Sequence, residues 1–234
     1  MKTFAFVFAR GGSKGVPGKN IRNFSNQPLL AYSLEIAKKI HEISSIFVST
    51  EDIQIAKIAK IWGAIVIDRP VELAQDESSE WLAWQHAVEW VKEHHGDFER
   101  FVSLPATSPL RNKNDVQACL NALDDETDMV ITTTETNRSP WFNMVRVGED
   151  NHISLLFEGG KKFVRRQDVP KAYDMTTVAY VTRPSFIMLE SGVLNGRTKA
   201  VMIPTERAID IDTEFDFRLA EAQYKILLNK STTL

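Results

Sequence analysis

The chain has 234 residues, enough for one sizeable domain with a real core, and its 43% hydrophobic and 25% charged residues are the balance of an ordinary globular protein. A net charge of −3 argues against a nucleic-acid partner held on a broad basic face, and no apolar stretch approaches the ~20 residues that span a bilayer. A single cysteine, Cys119, excludes an internal disulfide, and the first apolar run ends at Arg10, too short for a signal peptide, so a cytoplasmic protein is expected.

In chain order, residues 4–8 read as a strand that feeds a loop with four glycines (Gly11, Gly12, Gly15, Gly18) and three cations (Arg10, Lys14, Lys19). Glycines let backbone approach a phosphate, whose oxygens accept from its N–H groups, and the cations supply countercharge, so Ala9, Arg10, Gly11, Gly12, Ser13, Lys14, Lys19 and Asn20 are candidate nucleotide contacts. The bland alternative is a solvated basic loop. Neither common fingerprint fits: Gly15 and Gly18 are too close for a P-loop, and adjacent Gly11 and Gly12 break the dinucleotide pattern. The expected ligand is a nucleoside triphosphate held in a third way.

A helix is expected over 28–40, a strand over 46–49, a helix over 53–62 ended by Gly63, and a strand over 64–67. A long helix over 78–94 places Trp81, Trp84, Ala87, Val88 and Val91 on one side, and His86, His94 and His95 have no metal-ligand spacing there. A strand over 100–104, a helix over 114–123 and a strand over 128–133 continue the alternation. Cys119 falls on the apolar face of that helix and reads as a core residue. Such alternation implies an α/β fold with a doubly wound, mostly parallel sheet, whose ligands sit beyond the carboxyl ends of the strands.

The alternation breaks over about 135–174, where a β-hairpin arm is expected around a turn at 148–151. Trp141 and Phe142 on an exposed arm would need a partner surface, which suggests a dimer contact, or the segment packs on its own domain. Strands over 178–182 and 200–203 and a helix over 214–228 complete a single domain over 1–234.

Asp210 and Asp212 flank Ile211 and point to one side of an extended segment. Paired carboxylates repel unless a cation lies between them, and hard oxygens next to phosphate suit Mg²⁺. Helix capping would explain one of the two aspartates. After the fourth strand, Pro105-Ala106-Thr107-Ser108-Pro109-Leu110-Arg111 is a rigid turn at a ligand-binding end or simply a helix-initiating turn. Arg69 follows the third strand as an isolated cation. The basic cluster from Lys161 to Arg166, with Gln167 and Asp168 after it, carries an arginine fork suited to an anion, though a charge run by itself is most often a solvated face.

Taken together these motifs resemble the CMP-sialic acid synthetases (acylneuraminate cytidylyltransferases) and their relatives acting on other nonulosonic acids. The resemblance covers nearly the whole chain and rests on Ala9 to Gly15 with Pro17, Lys19 and Asn20; Arg69 to Ala74; Thr107 to Arg111; Arg166-Gln167 with Pro170; and Asp210 to Glu214. It implies a nucleotide-diphospho-sugar transferase-like fold that dimerises through the inserted arm. It also implies transfer of CMP from CTP to the anomeric hydroxyl of a nonulosonic acid. By the same resemblance Arg10, Lys14, Lys19 and Asn20 face CTP, Arg69 the cytidine, Asp210 and Asp212 a Mg²⁺ ion, and Arg166 the sugar acid. Tyr180 falls in the sugar pocket. Pro105 stands where many sialic acid enzymes have glutamine, and Met175-Thr176-Thr177 replaces a Pro-Asn-Gly stretch, so the acceptor, placed near Pro105, Thr107, Arg166, Gln167 and Tyr180, is not specified. Rival readings are a nucleotidyltransferase for Kdo or a sugar 1-phosphate, and a nucleotide-binding regulator without turnover.

Overall fold

The six residues of the first strand, Thr-Phe-Ala-Phe-Val-Phe, alternate between two cores. Phe4 and Phe6 pack on one face of the central sheet, Ala5 and Val7 on the other, which is the requirement for a strand covered by helices on both sides. The computed structural model describes residues 1–232, apart from the side chains of residues 160, 161 and 230–232. Lys161 of the basic cluster therefore lies outside the described side chains.

From β1 (Thr3–Phe8) the chain passes through the glycine loop and a 3₁₀ turn at Lys19–Ile21 into β2 (Asn23–Phe24) and β3 (Gln27–Pro28), a minimal antiparallel pair. Then follow α1 (Leu29–Lys38), β4 (Ile43–Thr50), α2 (Ile53–Ile61), β5 (Ile65–Asp68), a 3₁₀ turn at Val71–Ala74, α3 (Glu80–His95), β6 (Arg100–Ser103), α4 (Lys113–Ala122) and β7 (Met129–Glu135). A hairpin of β8 (Val145–Val147) and β9 (Ile153–Leu155) precedes β10 (Tyr173–Thr182), α5 (Pro184–Leu189), β11 (Thr198–Met202) and α6 (Glu214–Thr232). Caps set several of these boundaries: Asp52 accepts from the N–H groups of Gln54 and Ile55, Asn112 and Asp115 form a capping box, and Gly63 turns the chain out of α2 with φ 75°.

The central sheet has the order β11-β7-β10-β6-β1-β4-β5, parallel except for β10, which runs antiparallel to both β6 and β7. It is the mostly parallel, doubly wound sheet expected. α1, α2 and α4 cover the face of Ala5 and Val7, and α3 and α5 cover the phenylalanine face. A third, smaller core joins Val16 of the glycine loop to Phe24, Leu29, Tyr32, Ile211 and Phe217. It ties the loop after β1 to the segment before α6, elements far apart in sequence.

The expected strands and helices are present within a few residues. β10 is longer than expected because its first residues continue the pairing with β7 out to Tyr173 opposite Glu135. α5, a single short helix that opens at Pro184, carries too little periodicity to be foreseen. Cys119 is fully buried, and burial pushes its thiol up to about 12, as suits a core residue. Among the histidines, His94 stacks on Trp90 and His86 is half-buried, with burial lowering its pKa. No helix among the described residues is long and apolar enough to cross a membrane. The arm leaves the sheet between Glu135 and Tyr173; its Trp141 is half-buried edge-on against Phe157, and Phe142, Val147 and Ile153 are exposed.

Candidate active site

The order of the strands reverses between β1 and β6: the chain first builds outward through β4 to β5, then returns to the other side of β1. Strand ends at such a reversal splay their loops and leave a crevice. Here the crevice is a cleft of ≈ 460 Å³, and it gathers Arg10, Ser13, Lys14, Gly15, Lys19 and Asn20 from the glycine loop and the turn after it. Arg69 comes from the end of β5, Pro105 and Thr107 from the end of β6, Tyr180 from β10, and Asp210 and Asp212 from the segment before α6.

The glycine loop is held from several sides. The Ala9 N–H donates to the Ser49 carbonyl at 3.1 Å and the Gly11 N–H to Glu51 Oε1 at 2.7 Å. Asn20 Nδ2 donates back to the Arg10 carbonyl at 3.0 Å, closing the loop on itself. Gly18, at φ 62°, opens the 3₁₀ turn that aims Lys19 into the cleft. The backbones of the two motifs touch: a Cβ on Gly15 would run into the Asp212 carbonyl, so only glycine fits there.

Lys19 connects the halves of the site. Its nearly buried Nζ donates to the Ile211 carbonyl at 2.5 Å and lies 3.5 Å from Asp212 Oδ1. The Ile211 N–H donates in turn to the Thr107 carbonyl at 2.9 Å, so one hydrogen-bonded chain runs from the glycine loop through the aspartate segment to the loop after β6.

Capping does not occupy the two aspartates. Thr213 and Asp216 cap α6 between themselves: the Thr213 N–H donates to Asp216 Oδ2 at 2.8 Å and the Asp216 N–H to Thr213 Oγ1 at 3.2 Å. Asp210 keeps one buried oxygen, Oδ1, without a hydrogen-bond partner, whereas the Asp212 side chain is largely exposed. A buried carboxylate oxygen without a donor is costly unless a cation or ligand completes it. Two hard-oxygen donors lining the same cleft as the glycine loop would fit Mg²⁺, which takes few protein ligands and shares the rest with phosphate and water. Among the described residues no cluster of three or more His, Cys, Asp or Glu offers a ready-made metal cage.

Two cations near the cleft differ in what they do. Arg111 is fully enclosed and donates to the Val178 and Pro105 carbonyls and to Ser33 Oγ; burial pulls its pKa down to about 9. It braces the turn that presents Pro105 and Thr107. Arg69 spends Nε and Nη2 on Ser49 and lies over the Phe8 ring, facing the cleft. Burial pushes the Tyr180 hydroxyl up to about 12, with the negative charges of Glu80 and Asp210 adding to it.

The structure does not bring every expected contact to the cleft. Ala9 is buried in the core and the N–H groups of Ala9 and Gly11 already have internal acceptors, so neither is free for a phosphate. Gly12 borders an adjoining recess with Lys14, Glu51 and Asp76. Arg166 and Gln167 do not line the cleft at all. They face a separate cavity at the base of the arm with Arg138 and Lys171, because the chain between Glu135 and Tyr173 leads away from the strand ends.

Two acidic residues were missed by sequence reading. Glu80, at the start of α3, faces the cleft with Oε1 accepting from Trp84 Nε1 at 3.1 Å. Its side chain is open to the cleft, yet protein crowds it on the remaining sides, and this desolvation raises its carboxyl with Asp210 adding to the effect. Asp76 pairs with both Arg10 and Lys14. In sequence both belong to an unremarkable Gln-Asp-Glu-Ser-Ser-Glu stretch at the start of the helix expected over 78–94, and only the fold turns it toward the glycine loop.

Residues 4–233 match the family model described as cytidylyltransferase. The chain is 33% identical to the post-translational flagellin modification protein B of Campylobacter coli, over 92% of each chain. It is 31% identical to the CMP-N,N′-diacetyllegionaminic acid synthase of Campylobacter jejuni, again over 92% of each, and 30% identical to a pseudaminic acid cytidylyltransferase of the same species over 97% of each. Among solved structures, CMP:2-keto-3-deoxy-manno-octonic acid synthetase complexed with CTP superposes with a TM-score of 0.69 at 16% identity, over 96% of this chain and 99% of that one. That likeness is one of fold.

Proposed function

The chain belongs to the cytidylyltransferase family, and from that premise we propose that it transfers CMP from CTP to the anomeric hydroxyl of a nonulosonic acid, releasing pyrophosphate. The observation that carries the reading is Lys19, which joins the glycine loop to the Ile211–Asp212 segment so that a phosphate cradle and a pair of acids share one cleft.

The anomeric hydroxyl attacks the α-phosphorus in line and gives its proton to solvent, the bond from that phosphorus to the bridging oxygen breaks, and pyrophosphate leaves with the electron pair. Such a transfer needs positioning and charge neutralisation rather than a covalent enzyme intermediate. Arg10, Lys14 and Lys19, with the free N–H groups of the loop, hold the β- and γ-phosphates and receive the charge that builds on pyrophosphate. Asp210 and Asp212 would hold Mg²⁺, which when bound would supply positive charge at the α-phosphate and make a nearby hydroxyl more acidic. Arg69 faces the cytidine. Pro105, Thr107 and Tyr180 form the acceptor side.

The working form in this reading is a cytoplasmic homodimer. The arm carries exposed apolar residues, among them Val147 and Ile153, and such a surface is covered when a second copy packs on it. Arg166 and Gln167 sit on that arm outside their own cleft, which suits a role at the acceptor side of the partner copy's site.

The test is release of pyrophosphate from CTP with Mg²⁺ and a panel of acceptors: N-acetylneuraminate, legionaminate, pseudaminate, a deaminated nonulosonate and Kdo. Release with one nine-carbon acid, and none without acceptor or metal, is expected. Release with Kdo alone, or with no acid, overturns the assignment. Light scattering of the purified chain checks the dimer.

A further inference from the structure

The two cations at the mouth of the glycine loop already hold an anion supplied by the chain itself. Asp76 Oδ1 lies 2.7 Å from Arg10 Nη1, and Asp76 Oδ2 pairs with Lys14 Nζ. The carboxylate thus bridges the two side chains as two oxygens of a phosphate would. It comes from the loop between β5 and α3 and borders both the cleft and the adjoining recess. Its proton affinity reports the same contacts: hydrogen bonds from Lys14, then Arg10, hold the Asp76 carboxyl below the usual range.

Both partners are braced independently of the bridge. Arg10 is anchored through its carbonyl, which accepts from Asn20, while the 3.4 Å contact from its Nη1 to the Ala74 carbonyl reaches the Asp76 loop itself and adds to the bridge. The Asp76 loop is tied by Ser78 Oγ to the Glu72 carbonyl at 2.5 Å and by Gln75 Nε2 to the Val71 carbonyl at 2.9 Å. The bridge is therefore a contact between two pre-shaped loops and can be exchanged without either unfolding.

We propose that Asp76 occupies the phosphate place between Arg10 and Lys14 in the free enzyme, that the polyphosphate of the donor displaces it, and that its return promotes release of pyrophosphate. One carboxylate brings a single negative charge to two cations, whereas a polyphosphate brings several, so the exchange runs forward on donor binding. The same carboxylate, still close by, then competes with pyrophosphate once the α–β bond is broken. Asp76 is a positioning residue here. It sets affinity for anything carrying β- and γ-phosphates without touching the reacting atoms.

The inference rests on reading the loop as a polyphosphate cradle, and the experiment separates the two. Binding of inorganic pyrophosphate is titrated by calorimetry, with and without Mg²⁺, to the wild type, Asp76→Asn, Asp76→Glu, Arg10→Ala and Lys14→Ala. Two partly exposed ion pairs lost to competition correspond to about a three- to tenfold change. Asp76→Asn is expected to bind pyrophosphate tighter by that factor in both conditions, to show equally stronger product inhibition and a lower KM for CTP, and to bind CMP unchanged. Asp76→Glu restores the wild-type values. Unchanged or weaker pyrophosphate binding in Asp76→Asn overturns the proposal, as does an effect confined to Mg²⁺, which would make Asp76 a metal ligand. If Arg10→Ala and Lys14→Ala bind pyrophosphate like the wild type, the cradle reading itself fails, and the proposal with it.

Discussion

Gly15 lies against the backbone carbonyl of Asp212 with no room for a Cβ, so the glycine loop and the acid segment are fitted to each other through main chain as well as through Lys19. Gly15→Ala must push the two apart. Overpacking of this kind costs about 1–3 kcal/mol, and part of that falls on the site's geometry. The variant is expected to fold with a lowered Tm and to lose at least about tenfold in kcat/KM, because small misplacements at a reacting centre are expensive. Thermal melts and steady-state kinetics check this; wild-type kinetics in Gly15→Ala would refute the fit.

Lys19→Ala removes the cation that bridges both halves. A hydrogen bond to a charged group contributes about 1.5–3 kcal/mol, which corresponds to roughly a ten- to hundredfold rise in the KM for CTP. The same variant frees the Ile211 carbonyl and loosens the segment before α6. Hydrogen exchange there is expected to quicken, and an unchanged rate would show that Lys19 acts on nucleotide alone.

Asp212→Asn keeps the shape of the side chain and removes its charge. Capping of α6 by Thr213 and Asp216 is untouched, so stability is expected to stay near wild type. Turnover is expected to fall by about two orders of magnitude or more, the scale seen when one stabiliser of transition-state charge is lost. CTP binding, measured by calorimetry in the absence of metal, remains. Full turnover in the variant would remove Asp212 from the metal site.

Glu80 gives a dependence on pH. Its folded pKa is raised, chiefly by desolvation, so the folded state prefers the protonated carboxyl. Below the unfolded pKa Glu80 carries no penalty; as pH rises through the unfolded and then the folded pKa, the ionised group destabilises the fold, less than full burial would because it opens on the cleft. Glu80→Gln keeps an acceptor for Trp84 and removes the charge. Its Tm is expected to match wild type near pH 4 and to exceed it increasingly toward pH 7. A constant difference across that range would show that Glu80 does not titrate as described.

Much of this organisation is legible in the residues. The alternation of Phe4, Ala5, Phe6 and Val7 marks a strand buried on both faces, Gly63 marks the end of α2, and the apolar stripe from Trp81 to Val91 marks the inner face of α3. Strand-helix alternation then predicts a parallel sheet, since crossovers return each strand in the same direction. β10 departs from it because the chain reaches β10 through the arm, and an excursion that leaves after Glu135 and returns at Tyr173 brings the strand back antiparallel. Local pattern carries no information on that direction.

The sequence by itself determined the residue types available: four glycines with Arg10, Lys14 and Lys19, a set suited to a polyphosphate, and Asp210 with Asp212, a pair suited to a hard cation. Both motifs are short and local, so their residue types and spacing are visible without the fold. Only the tertiary structure decided which groups meet. It set Gly15 against Asp212 and Lys19 against Ile211, turned Asp76 and Glu80 into the cleft, and left Arg166 and Gln167 at the base of the arm. Those relationships join segments as far apart as the first and last quarters of the chain, and they follow from the reversal of strand order at β1, which no stretch of sequence records.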